Sequence, residues 1–200
     1  MFRTLLSLKR RSSASAQVRT GRLRNTQIVF PFQFQGCTAL FSGGPAEAAE
    51  LDRLKAEAIA APLGAAIELA GLKMSGQIVL PCLTFAFVVF TDPAHPKLSR
   101  DQRDCLWRAF RVPVFEQFRA ADGAVLAREC EAHDGLHLVA EAPIRVEQGE
   151  VRIRGERTGL TALLDTGHCE CGDEHPRLTI GGAFAARLAA GGTWAREAAA

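Results

Sequence analysis

The spacing of apolar positions changes part-way along the chain. In the segment PAEAAELDRLKAEAIAA (Pro45 to Ala61), strong helix formers dominate, and Leu51, Leu54, Ala58 and Ile59 recur at three to four residues. That spacing predicts a helix with one apolar stripe. Pro62 and Gly64 interrupt it, and a second short helix is expected to continue to Ala70. Ile78 to Phe90 is dense in β-branched and aromatic residues and reads as a buried strand, with Pro81 marking a bend near its start. Ser99 has Gln102 three residues on, the spacing of a capping box, and opens a helix that turns Leu106, Phe110 and Trp107 to the core.

Beyond that helix the period becomes two. Val112–Phe118, Ala124–Cys130 and Leu136–Ala140 alternate as strands. In IRVEQGEVRIR, Ile144 and Val146 are matched by Val151 and Ile153 around Gln148-Gly149, a hairpin signal. Leu160–Asp165 and Arg177–Ile180 complete the set. The expected fold class is α+β: N-terminal helices packed on a curled, mostly antiparallel sheet. Nine alanines in the last twenty residues would suit a terminal helix, which Gly191-Gly192 would break.

Composition narrows the class without naming a reaction. The 200 residues are 48% apolar and 23% charged, an ordinary globular balance for one domain. The longest apolar run, Ile78 to Phe90, carries Pro81 and Thr84 and is too short to span a bilayer, so no membrane partner is expected. The net charge of +2 conceals an asymmetry. Residues 1–46 hold seven basic side chains and no acid, leaving 17 bases against 22 acids in the remainder. The expected organisation is a flexible basic leader (1–30), a single α+β domain (31–182) and an Ala-rich tail (183–200). The leader reads as an unstructured extension; an organelle presequence or a polyanion-binding arm would share its composition. Because the rest is net acidic and has no basic motif interleaved with aromatics, no nucleic-acid partner is expected.

Six cysteines without a secretory signal point to a reducing compartment, the cytoplasm. Cys37, Cys82 and Cys105 lie singly in apolar surroundings and read as small core residues. Cys130, Cys169 and Cys171 instead keep company with His133, His137, His168 and His175. Zinc takes four ligands at tetrahedral corners, commonly thiolates and imidazoles from two chain segments. Cys130, His137, Cys169 and Cys171 would form a structural Cys3His site, with Gly172 freeing the turn. His133 alternates with His137 for the fourth corner, and His168 or His175 could also stand there. The competing reading makes the same cysteines buried apolar residues. Glu129, Glu131 and Asp134 beside the histidines could form an acid/base set, or simply be polar loop residues.

The segment from Leu98 to Ile180 resembles the phenylacetate–CoA ligase branch of the adenylate-forming enzymes. The residues carrying the resemblance are ECEAHDGLH (Glu129 to His137), Gly149-Glu150, DTGH (Asp165 to His168) and CECGDEHPRL (Cys169 to Leu178). The resemblance implies a zinc held by the Cys, His and C-x-C set, as in some members of that family. It also implies ATP chemistry, but the chain departs from the pattern at the residues that chemistry uses. The family's aromatic-Gly-x-Thr-Glu motif corresponds to Phe115-Glu116-Gln117-Phe118-Arg119-Ala120-Ala121, without the Gly, the Thr or the acid in place. Its ribose-binding aspartate corresponds to His168. The nearest approach to a phosphate loop is Phe41-Ser42-Gly43-Gly44-Pro45, which has no Lys, and no lysine follows Lys97 to serve as the catalytic lysine of a lid.

The expected function is therefore a zinc-stabilised binding or interaction module on a ligase-like scaffold, with no catalytic or nucleotide-binding residues of its own. Its expected partners are a protein, a second copy of the chain or a small carboxylate. The alternative is one subunit of a split acyl–CoA ligase completed by another chain.

Overall fold

In the computed structural model, residues 18–19 and 27–181 are described. Eleven strands lie in one sheet, in the order β1-β2-β3-β4-β5-β6-β7-β11-β10-β9-β8. They are β1 (Val18–Arg19), β2 (Thr38–Leu40), β3 (Ala58–Pro62), β4 (Ala86–Thr91), β5 (Val114–Arg119), β6 (Val125–Glu129), β7 (Leu136–Leu138), β8 (Ile144–Glu147), β9 (Glu150–Ile153), β10 (Glu156–Asp165) and β11 (Arg177–Ile180). The helices are α1 (Pro45–Leu54), α2 (Leu63–Met74) and α3 (Arg100–Phe110). The sheet has two characters. Strands β1 to β5 pair in parallel, and every pairing from β5 onward is antiparallel. The class is α+β and the sheet mostly antiparallel, but its N-terminal part is a parallel segment whose successive strands are joined across α1, α2 and α3.

That parallel segment corrects the single helix expected over Pro45–Ala61. Helix α1 ends at Leu54, where Lys55 takes a left-handed conformation at φ 49°. The next residues, Ala58–Pro62, form β3, hydrogen-bonded between β2 and β4. Alanine's helix preference is a few tenths of a kcal/mol per residue, roughly, and a strand buried on both faces outweighs it. Helix α2 starts only after Pro62 and runs beyond Ala70. The strand expected from Ile78 begins at Ala86, because residues 77–85 form an irregular approach that turns at Leu80 (φ 51°).

Alternation along β3 and β4 divides the parallel segment into two cores. Ile59, Ala61, Phe87 and Val89 point to the helices, where Phe87 stacks on Phe110 of α3 with ring centroids 4.6 Å apart. Ala58, Ala60, Ala86, Val88 and Phe90 face the other way and are covered by the irregular strap 27–35 through Ile28, Phe30 and Phe34. Ile28 and Phe30, within the expected leader, are thus core residues. Cys37, Cys82 and Cys105 are all only partly buried, with Cys105 packed beside the helix-side core. The rest of the leader, apart from Val18–Arg19, and the tail 183–200 lie outside the described residues.

Helix α3 has its capping box: Gln102 N donates to Ser99 Oγ at 3.2 Å, and Ser99 N donates to Gln102 Oε1 at 2.9 Å. Leu106 and Phe110 are buried. Trp107 is not a core residue; it is 50% exposed and lies under the Arg111 guanidinium. In the antiparallel half the hairpin register pairs Ile144 with Ile153 and Val146 with Val151. A third core, including Phe118, Leu126, Val151 and Leu178, fills this half. No helix among the described residues is long and apolar enough to cross a membrane.

Candidate metal centre

Strands β6, β7 and β11 are neighbours, and their order brings three separate stretches of chain to one end of the sheet. Cys130 follows the last residue of β6. His137 is the middle residue of β7, where it is paired with Arg128 of β6 on one side and with Arg177 of β11 on the other. Cys169 and Cys171 lie in the turn between β10 and β11. Two tight turns aim the thiols. His133 N donates to Cys130 O at 3.1 Å, and Gly172 N donates to Cys169 O at 3.0 Å. Gly172 has φ 76°, in the region where a side chain would be strained. Gly135, at φ 80°, also lies close against β11, where a Cβ would sit 3.4 Å from the Leu178 carbonyl oxygen.

One donor atom from each of Cys130, His137, Cys169 and Cys171 lies within 4.8 Å of all the others. Cys130 and Cys169 are buried with their sulfurs 3.7 Å apart, and Cys171 Sγ lies 3.4 Å from His137 Nε2. His137 is 1% exposed, and its Nδ1 lies 2.9 Å from the carbonyl oxygen of His175. A carbonyl can only accept, so the proton is on Nδ1 and the Nε2 lone pair faces the sulfurs. Asp173 braces this arrangement. It accepts from His175 N at 3.0 Å, ion-pairs with Arg128 at 2.9 Å, and its own N–H donates to Cys171 Sγ.

Crowding three thiols together splits their acidities. Burial, with the neighbouring thiols, pushes Cys171 up to about 12 and raises Cys130. Burial opposes ionisation of Cys169 too, but the Cys171 N–H, the neighbouring His137 and the other thiols bring it down to about 7. One thiolate is thus favoured and the other two are held protonated. A cation among them would relieve that repulsion, and the cluster is compatible with metal binding.

The other histidines do not join the group. His133 stacks on Phe115 with centroids 5.2 Å apart and contacts Glu129 at 3.0 Å. His168 is exposed. His175 contributes its backbone carbonyl, while its ring pairs with Asp173. The acids beside them serve other contacts. Glu129 takes a bidentate pair from Arg103 of α3 at 2.9 and 3.0 Å, Asp134 pairs with Arg177, and Glu131 is exposed. Residue patterns did not single out Asp173 or the His175 carbonyl. Asp173 lies two residues past Cys171, a position from which its N–H reaches the thiol, but a backbone acceptor leaves no trace in a sequence.

No protein-family model matches the chain, and no curated protein matches it. Solved structures do. An open conformation of 2-hydroxyisobutyryl-CoA ligase in complex with 2-HIB-AMP and CoA is 16% identical over 67% of this chain and 35% of the ligase, with a TM-score of 0.52. The same ligase in its thioesterification state is 17% identical over 69% of this chain and 35% of the ligase, with a TM-score of 0.54. In its postadenylation state with 2-HIB-AMP it is 17% identical over 66% of this chain and 33% of the ligase, with a TM-score of 0.52. The chain spans about a third of the length of these ligases. Its fold resembles part of an adenylate-forming CoA ligase.

Proposed function

We propose that this chain is a zinc-stabilised binding or interaction module built on a ligase-like scaffold, and that it does not form acyl-adenylates by itself. The observation that carries the reading is the convergence of three thiols and one oriented imidazole within 4.8 Å. A tetrahedral zinc with Zn–S near 2.3 Å and Zn–N near 2.0 Å requires S···S separations of about 3.8 Å and S···N separations of about 3.5 Å. The Cys130–Cys169 and Cys171–His137 distances, 3.7 and 3.4 Å, suit those edges. Zinc held there by four protein ligands would cross-link β6, β7 and the β10–β11 turn and leave no open position for substrate. The narrower likeness to the phenylacetate–CoA ligase branch rests on the sequence motifs alone.

The reading against independent catalysis rests on missing chemistry. Adenylation needs positioned phosphates and groups that stabilise developing charge, and removing one such group costs on the order of 10² to 10³ in rate. In this chain Arg119 falls in the segment that corresponds to the aromatic-Gly-x-Thr-Glu motif, and His168, after Thr166-Gly167, stands where the family's separate T-G-D motif has its ribose-binding aspartate. The second reading is one subunit of a split ligase acting on a carboxylate; the likeness of the fold to part of a CoA ligase supports it. Two measurements test the proposal. Elemental analysis of protein purified without chelator should find about one zinc per chain; absence of zinc would overturn the metal reading. Pyrophosphate release from ATP with a panel of aryl and fatty acids, with and without CoA, should stay at background. Turnover by the chain alone would overturn the non-enzyme reading, and turnover only with an added partner chain would favour the split ligase.

A further inference from the structure

Strand β8 ends the sheet, and among the described residues no strand pairs with its outer side. The hairpin that carries it decides which backbone groups face outward. Gln148 and Gly149 have φ of 51° and 81°, the left-handed pair of a two-residue type I′ turn. In such a hairpin the flanking residues, Glu147 and Glu150, point their N–H and C=O groups at each other. Alternation turns Arg145 and Pro143 the same way, in keeping with the 2.7 Å bond from Arg154 N to the Pro143 carbonyl oxygen. Val146 is left with both its N–H and its C=O directed away from β9. The other outward residue, Ile144, already donates its N–H to the Ala142 carbonyl oxygen at 2.8 Å.

The charges on this hairpin stand like against like. Arg145 of β8 lies opposite Arg152 of β9, and Glu147 lies opposite Glu150. Such pairs are unfavourable across a sheet. Arg152 reaches diagonally to Glu147 at 3.0 Å, and Arg157 of β10 takes Glu150 at 2.9 Å. Arg145 is exposed and makes no ion pair among the described residues. On the other face of β8, Ile144 and Val146 join Leu138, Leu164 and Leu178 around a groove of about 270 Å³. Leu164 is 42% exposed there.

We propose that β8 is a self-association edge, and that its occupant is the β8 of a second copy of this chain, antiparallel about a two-fold axis at Val146. Each Val146 N–H donates to the carbonyl oxygen of the other Val146. The axis sets Arg145 of each copy opposite Glu147 of the other. Across the joined sheet the row then runs Arg152, Arg145, Glu147, Glu150, with the two acids from the second copy. The like-signed pairs of one hairpin thus meet opposite-signed pairs of the other. Neighbouring registers fail. Centring on Arg145 opposes two cations whose backbone groups already face β9, and centring on Ile144 lacks the N–H. Residues directly opposite share a face, so the two Val146 side chains meet on the groove side. The contact is isologous, and one short strand with a groove gives a weak, reversible dimer. The proposal names the partner of the interaction-module reading and rests on that reading, but it uses none of the metal-centre residues.

The test is sedimentation equilibrium of the full-length chain, purified without chelator, over a range of protein concentrations. A monomer–dimer equilibrium that weakens as salt is raised is expected. Arg145→Glu and Glu147→Arg should each weaken association about tenfold or more. Mixed in equal amounts, the two variants should associate again, because each supplies the sign the other lacks. That rescue requires folded chains in this register, so it separates a lost contact from a lost fold. Arg108→Glu makes the same charge change on an exposed position of α3 and should leave association unchanged. A chain that is monomeric at every concentration, association indifferent to both reversals, or no rescue on mixing would overturn the proposal. So would a chain that dimerises only after residues 182–200 are deleted, since its own tail would then be what covers β8. Zinc content, measured in parallel, keeps the two readings apart and should be the same in every variant. Association without zinc would sink the metal centre and leave this edge standing, and zinc without association would do the reverse.

Discussion

The ring of His137 is aimed by the backbone of His175: Nδ1 lies 2.9 Å from that carbonyl oxygen, which turns Nε2 toward Cys171. Groups that orient a metal ligand in this way tune affinity without touching the ion. Asp173 holds the His175 turn, so Asp173→Ala should reduce zinc affinity about 10- to 100-fold while leaving the four donors in place. Chelator competition would read this directly. An unchanged competition curve would show that the turn holds itself.

On the proposed zinc reading, Cys171→Ser removes one donor from a site whose formation is coupled to folding. The variant should lose its zinc and melt at a markedly lower temperature. Adding chelator to the unaltered protein should bring its melting temperature down to a similar value, whereas the variant should be insensitive to chelator.

Glu116 gives the fold a pH dependence of its own. Burial pushes its carboxyl from 4.5 up to about 7, opposed by the hydrogen bond from the Thr91 hydroxyl and assisted by nearby Glu129. The folded state therefore binds the proton more tightly than the unfolded state does. This stabilising contribution is complete below the unfolded value and is lost as pH rises through about 7. Glu116→Gln should become more stable relative to the unaltered protein between pH 5 and pH 8, by up to about 3 kcal/mol. Urea unfolding at several pH values would measure it, and a pH-independent difference would contradict it.

Helix α3 depends on its cap and on its core contact. Ser99→Ala abolishes the Oγ half of the capping box, leaving the backbone N–H of residue 99 to donate to Gln102, and should cost about 1 kcal/mol. Phe87→Ala empties the fully buried position that stacks on Phe110 and should cost about 3–5 kcal/mol. Denaturant midpoints with unchanged slopes would report both. Equal losses in the two variants would mean that the cap contributes more than local hydrogen bonding.

The residue pattern alone determined the antiparallel half. Alternation and turn residues act over a few positions, so the hairpin about Gln148-Gly149 and the strand Arg177–Ile180 were legible without tertiary information. So was the capping box at Ser99. Cys130, His137, Cys169 and Cys171 could be named as candidates, because their residue types and grouping are local facts. Which histidine stands with the three thiols was settled only in three dimensions, by the adjacency of β6, β7 and β11 and by a carbonyl 38 residues further along the chain. The parallel segment was likewise decided by tertiary structure. Ala58–Pro62 carries helix-forming residues, yet it is a strand because β2 and β4 pair with it and both of its faces are buried.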